Sequence, residues 1–144
     1  MPRIKIELPE HFTFTTVIDI RITDINYGGH VGNDTVLSII HEARMRFLKN
    51  SGYTELDLAG TGLIMSDAGI EFKSELFYGE SVIASVGVSE FTKVAFEIYY
   101  KLEKKKEGGI VVVAIAKTGM VCYDYQKRKI APVPEEVKIK LSAY

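Results

Sequence analysis

A chain of 144 residues with 47% hydrophobic and 26% charged residues is long enough for one well-buried core and too short for two comfortable domains, so one domain over residues 1–144 is expected. A formal net charge of −1 and a pI near 6.3 supply no general basic field for nucleic acid or an anionic membrane. The start Met1-Pro2-Arg3-Ile4-Lys5 lacks the apolar core of a secretion signal, no run approaches the roughly 18 apolar residues of a span, and the single Cys122 cannot form an intrachain disulfide; a cytoplasmic protein is expected.

Residues Phe12 to Ile22 are rich in Thr, Val, Ile and Phe. Val17, Asp19 and Arg21 alternate there with Ile18, Ile20 and Ile22, the pattern of a half-buried strand. Arg21 to Asp34 then crowds acid, amide and imidazole groups around Gly28, Gly29 and Gly32. From Thr35 to Ser51, Val36, Ile40, Ala43 and Phe47 recur at helical spacing, with Leu37, Ile39 and Leu48 widening the apolar face. Asn33 or Asp34 can cap this helix, Lys49 suits its negative end, and Gly52 can stop it.

Gly62 to Leu76 reads as the next strand, Tyr78-Gly79-Glu80 as a turn, and Ser81 to Phe91 as a strand. Val94 to Glu103 alternates cleanly, with Phe96, Ile98, Tyr100 and Leu102 on one face. Lys104-Lys105-Lys106-Glu107-Gly108-Gly109 is expected as a solvated hairpin connection, and Ile110 to Asp124 as the last long strand. Pro134-Glu135-Glu136-Val137 can open a short terminal helix. The order predicts an α+β architecture, a largely antiparallel five-stranded sheet wrapped around one long helix. Ile110 to Ala116 is apolar on both faces, so something must cover the second one; self-association through the sheet is the expectation.

The segment before the long helix concentrates the chemistry. Amides in a first helical turn lack intrahelical partners and sit at the positive end of the helix dipole, where a developing oxyanion finds donors. Neither G-x-G-x-x-G nor a Walker pattern is present, and no His/Cys/Asp/Glu spacing suits zinc, so no phosphate loop and no metal are expected.

Asp24-Ile25-Asn26-Tyr27-Gly28-Gly29-His30-Val31-Gly32-Asn33, followed by His41-Glu42-Ala43-Arg44, resembles the hot-dog-fold thioesterases of the 4-hydroxybenzoyl-CoA and acyl-carrier-protein thioesterase type. Their motif runs approximately Asp-x-Asp-x-Asn-x-His-Val-Asn-Asn, with Glu-Ala-Arg on the helix. Gly69 to Glu80 is similar to the family's strand that ends in an Arg-Pro-Leu-x-x-Gly-Asp turn. The resemblance spans roughly residues 12 to 138 and implies a hot-dog fold, paired edge to edge in a homodimer or a homotetramer. It implies hydrolysis of an acyl-CoA, or of an acyl-ACP, with coenzyme A entering only as part of the substrate and no other cofactor.

In the ungapped register the family's catalytic Asp falls on Asn26, its next Asn on Gly28, and the first Asn of the pair on Gly32; His30 is kept. An amide is no proton acceptor of useful basicity, though Asn26 can orient water or a carbonyl. A register two residues longer makes Asp24 the acid instead. The resemblance assigns His30 to the thioester carbonyl or the water and Glu42 to activating that water. The Asn33 amide is the candidate oxyanion donor, and Gly28 and Gly32 allow close approach of substrate. Glu42 can equally pair with Arg46 one turn on. Two other readings stay open: a non-catalytic acyl-thioester-binding protein, favoured by the departures at Asn26, Gly28 and Gly32, and an enoyl-thioester hydratase or dehydratase.

Overall fold

The computed structural model describes residues 3–143. β1 (Phe14–Asp19) leads through a short 3-10 turn (Ile22–Asp24) to α1 (Asn33–Asn50), and then come β2 (Gly62–Phe72), β3 (Ser81–Ser89), β4 (Ala95–Lys106), β5 (Gly109–Asp124), β6 (Lys129–Ile130) and α2 (Glu135–Leu141). The sheet order is β1-β3-β4-β5-β2, with the two-residue β6 paired to β5, and every pairing is antiparallel. The sheet therefore has a sixth, very short strand beyond the five expected.

One face of this sheet carries Val82, Ala84 and Val86 of β3, Phe96, Ile98, Tyr100 and Leu102 of β4, and Ala114, Ala116, Met120 and Cys122 of β5, all buried. They form one core with Val36, Ile39, Ile40, Ala43, Phe47 and Leu48 of α1. This is the period-2 pattern of strands meeting the 3.6-residue stripe of one helix. The helix closes in a Schellman arrangement: the Tyr53 amide donates to Leu48 O and the Gly52 amide to Lys49 O, with Gly52 at φ +83°.

Several boundaries differ from the sequence expectation for identifiable reasons. β1 stops at Asp19 because the Arg21 amide donates to Asp24 Oδ2 at 2.8 Å and folds the following residues into the 3-10 turn. α1 begins at Asn33, two residues early, and its N-cap is Gly32 with no side-chain cap, so neither Asn33 nor Asp34 plays that part. β2 ends at Phe72 because the Lys73 and Ser74 amides both turn to Val113 O, leaving 73–80 as a loop. Lys104, Lys105 and Lys106 belong to β4 and not to a loop: the ladder continues to Lys106 opposite Gly109, so only Glu107 and Gly108 make the turn, and Lys104 is buried.

The second face of the sheet is covered in part by the chain's own N-terminal segment. Gly69, Lys117, Tyr99 and Gly87 form one row across β2, β5, β4 and β3. A Cβ on Gly69 would sit 3.6 Å from Ile4 Cγ2, and one on Gly87 would sit 3.3 Å from His11 O. The Ile6 amide donates to Glu71 Oε2 at 2.8 Å, and Lys101 Nζ lies 5.2 Å from the centre of the Phe12 ring. Glycines at both ends of the row let this strap lie flat on the sheet.

Candidate active site at the start of the long helix

The chain enters α1 through a tight turn. The Asn26 amide donates to His30 O and the Gly29 amide to Asn26 O, both at 3.0 Å, while Asn26 Oδ1 accepts from the Gly28 amide at 2.8 Å. This Asx closure is what a carboxamide two residues before a glycine does well. Val31 then docks on the neighbouring loop, its amide donating to Leu76 O at 2.9 Å. Thr35 and Val36 amides turn back to Gly32 O, whereas the Asn33 and Asp34 amides find no acceptor among the described residues. Both residues are exposed, and their N–H groups belong to the positive end of an 18-residue helix.

The imidazole of His30 is oriented by its own backbone neighbour. Nδ1 lies 3.0 Å from Val31 O, and since a carbonyl only accepts, Nδ1 carries the hydrogen and Nε2 presents its lone pair. Nε2 points toward Glu75 Oε1 at 3.8 Å. A Cβ on Gly28 would sit 3.1 Å from Asn26 Oδ1 and 3.5 Å from His30 Nε2, so the missing side chain keeps the space between amide and imidazole open. At Gly32 the same construction comes 2.7 Å from Asp34 Oδ1 and 3.3 Å from Asn26 Nδ2, which places the Asn26 carboxamide across the mouth of the helix.

His30 and Asn33 line a cavity of about 240 Å³ with Val36, Phe72, Leu76 and Val113 as apolar walls and Lys73 and Glu75 at its rim. Asn26, Gly28, His30, Gly32 and Asn33 are thus brought together at one corner. Asp24 and Glu42 are not. Both line a separate cavity beside Val17, Ser38 and Ile39, where each carboxylate has an arginine. Asp24 is buried and held by the Arg21 amide and by Arg21 Nη2 at 3.3 Å. Glu42 accepts from Arg46 Nε at 2.8 Å, and Arg46 also donates to Thr16 Oγ1 and Val17 O.

Glu75 is the carboxylate that sequence reasoning did not single out. It lies in an irregular loop where no periodicity marks a residue, and its only signal was membership of the Gly69 to Glu80 segment. Lys104 holds that loop: its Nζ donates to Glu75 O at 2.7 Å and pairs with Glu80 Oε2 at 3.0 Å, and Glu80 in turn accepts from the Phe77 amide. Among the described residues no group of three or more His, Cys, Asp or Glu side chains could hold a metal ion, and no helix is long and apolar enough to cross a membrane.

The far end of the helix face is fixed by a buried polar cluster. Arg44 donates to Glu55 Oε2 and to Tyr100 Oη, each at 3.2 Å, and Tyr100 Oη meets Thr118 Oγ1 at 2.7 Å. Burial opposes the Arg44 charge, but Tyr100 and Glu55 outweigh it and hold the guanidinium above its ordinary value. Burial likewise pushes the Tyr100 phenol up. His41 pairs with the other oxygen of Glu55 at 2.6 Å, so Arg44 and His41 are committed to structure.

The chain matches the Thioesterase-like superfamily over residues 20–141. It is 30% identical over 122 residues to a 1,4-dihydroxy-2-naphthoyl-CoA hydrolase of Microcystis aeruginosa, covering 83% of this chain and 86% of that one. Among solved structures, a 1,4-dihydroxy-2-naphthoyl-CoA thioesterase from Synechocystis superposes with a TM-score of 0.78 at 21% identity, covering 89% of this chain and 94% of that one. The 4-hydroxybenzoyl-CoA thioesterase of Pseudomonas sp. strain CBS-3 gives a TM-score of 0.78 at 15% identity, covering 90% and 99%. With its sheet wrapped on one long helix and its glycine turn at the helix start, the chain belongs to the thioesterase-like superfamily and has the hot-dog fold of those thioesterases.

Proposed function

We propose that this chain hydrolyses the thioester of an aromatic acyl-CoA. The observation that carries the reading is that one cavity is lined by both His30, whose Nε2 keeps its lone pair, and Asn33, whose amide finds no acceptor among the described residues. The acyl carbonyl lies against the first turn of α1, where the Asn33 N–H stabilises the oxyanion. His30 Nε2 takes the proton of the attacking water. Asn26, lacking a titratable group, orients that water and shapes the turn.

The cavity is smaller than the roughly 300–1,000 Å³ of pockets that enclose a drug-sized ligand, so it takes the acyl end while the nucleotide stays outside. Val36, Phe72, Leu76 and Val113 suit a flat ring. The names of the curated relatives support an aromatic group and coenzyme A as carrier; acyl-carrier protein is the second candidate. These steps use only the chain's own groups and water, and turnover is expected to survive a chelator. Cytoplasmic placement is part of the proposal.

The reading includes a homodimer, with a tetramer as a further step, paired through β2, which ends the strand order and exposes Ile64, Met65 and Phe72. Light scattering at micromolar concentration tests it; a monomer contradicts it. The enzymatic reading is tested by free-thiol release from a panel of aromatic and aliphatic acyl-CoAs. We expect turnover of aromatic substrates by the wild type and a loss of about 10²-fold or more in kcat for His30→Gln. Calorimetric binding of acyl-CoA without thiol release would establish instead the non-catalytic reading that Asn26 favours.

A further inference from the structure

Among the described residues, Glu75 supplies the one carboxylate that lines the His30 cavity, while Asp24 and Glu42 are occupied by arginines in another. We propose that Glu75 is the charge partner of His30, a positioning residue that faces Nε2 and stabilises the imidazolium formed during thioester hydrolysis. The proposal rests on the hydrolytic reading of this site.

Three contacts make the pair a built one. Nδ1 is committed to Val31 O, so the proton that His30 gains goes on Nε2, the nitrogen 3.8 Å from Glu75 Oε1. Val31 and Leu76, the residues next to His30 and Glu75, are tied by a backbone hydrogen bond of 2.9 Å. Glu75 is further held through its own carbonyl by the buried ammonium of Lys104, which Glu80 neutralises. The other charged groups near the imidazole are Lys73, drawn aside to Glu71 Oε1 at 3.3 Å, and Asp34 in the first turn of α1.

In the cycle the water oxygen bonds to the acyl carbon as one of its O–H bonds breaks, and that proton goes to Nε2. The carbonyl electron pair moves onto the oxygen held by the Asn33 N–H. When the C–S bond breaks, the thiolate takes the proton back from Nε2, leaving acid, thiol and neutral His30. Glu75 keeps its charge throughout and faces the imidazolium across 3.8 Å from the rim of the cavity.

The test follows the His30 imidazole by NMR over pH in the wild type and in Glu75→Gln, alongside the pH profile of kcat/KM. Removing the carboxylate is expected to lower the imidazole midpoint, to move the acid limb of the profile down with it, and to reduce kcat about tenfold. On a His30→Gln background the same substitution is expected to cost nothing further. An imidazole midpoint unchanged in Glu75→Gln, or an equal loss of rate on the His30→Gln background, overturns the proposal. If the wild type releases thiol and His30→Gln does not, while Glu75→Gln matches the wild type, the pairing fails and the hydrolytic reading stands. If no acyl-CoA is cleaved, the hydrolytic reading fails and the imidazole titration alone decides the pairing.

Discussion

At the scale of single residues, the corner depends on side chains that are absent as much as on those present. Gly28 has an ordinary negative-φ backbone, so alanine fits the turn, yet its Cβ would press on Asn26 Oδ1 at 3.1 Å and fill the space beside His30 Nε2. Gly28→Ala is therefore expected to leave the melting temperature within a few degrees of wild type and to lower kcat/KM by about tenfold, since misplacement on the order of 1 Å in a reacting site costs up to about 10²-fold. Parallel melting curves and thiol-release kinetics check both halves. An unchanged kcat/KM would mean that the space between amide and imidazole is not where water or substrate sits. His30, Asn33 and the glycines were legible in the sequence because the motif keeps them contiguous. Asp24 came with that motif and Glu42 with the helix pattern after it; the structure seats them beside Arg21 and Arg46, Glu42 being nine positions after Asn33 on α1 and turned toward Arg46 and β1.

At the scale of elements, the 73–80 loop and the N-terminal strap were the least legible parts. Neither has a period, and each is placed by a contact distant in sequence. The loop needs Lys104, twenty-nine positions after Glu75. Lys104→Met is expected to cost roughly 2 kcal/mol, since it deletes hydrogen bonds from a charged donor, and to speed amide exchange in 73–80; exchange mass spectrometry that finds the loop as protected as before would contradict this.

The strap needs Glu71. The Ile6 amide, and after it Lys73 and Lys5, hold that carboxylate below its ordinary value of 4.5, against the opposing effect of desolvation. A lowered folded-state value means that the docking contribution is present above the unfolded value and is lost as pH falls through the folded one. Amides around Ile6 are therefore expected to lose protection in acid before the core does, and Glu71→Gln to weaken them already at neutral pH. Equal protection at both pH values would show that the strap is held by Ile4 and Ile6 packing alone.

At the scale of the whole molecule, the alternating patterns of β3, β4 and β5 against the stripe of α1 made the fold legible, because one sheet face and one helix face account for most of the core. What pattern could not give was the polar join between them. The helix pattern places Arg44 without naming its partners, and it spans from Glu55 to Tyr100 under near-complete burial. Arg44→Leu removes the guanidinium that bridges Glu55 and Tyr100, leaving Glu55 to His41 and Tyr100 to Thr118 alone, and breaking a buried pair costs about 3 kcal/mol or more. A fall in melting temperature of about 6 °C or more is expected, at roughly 2–4 °C per kcal/mol for a chain near this size. A melting temperature equal to wild type would remove the cluster from the account of stability.

The central claim is that His30 and the start of α1 together hydrolyse an aromatic acyl-CoA. Its most direct measurement is steady-state thiol release from 1,4-dihydroxy-2-naphthoyl-CoA by the wild type and His30→Gln, both checked for folding. The account predicts turnover by the wild type with kcat lower by about 10²-fold or more in the variant. Equal kcat in the two proteins, or no thiol released by the wild type from this or any other acyl-CoA, would contradict it.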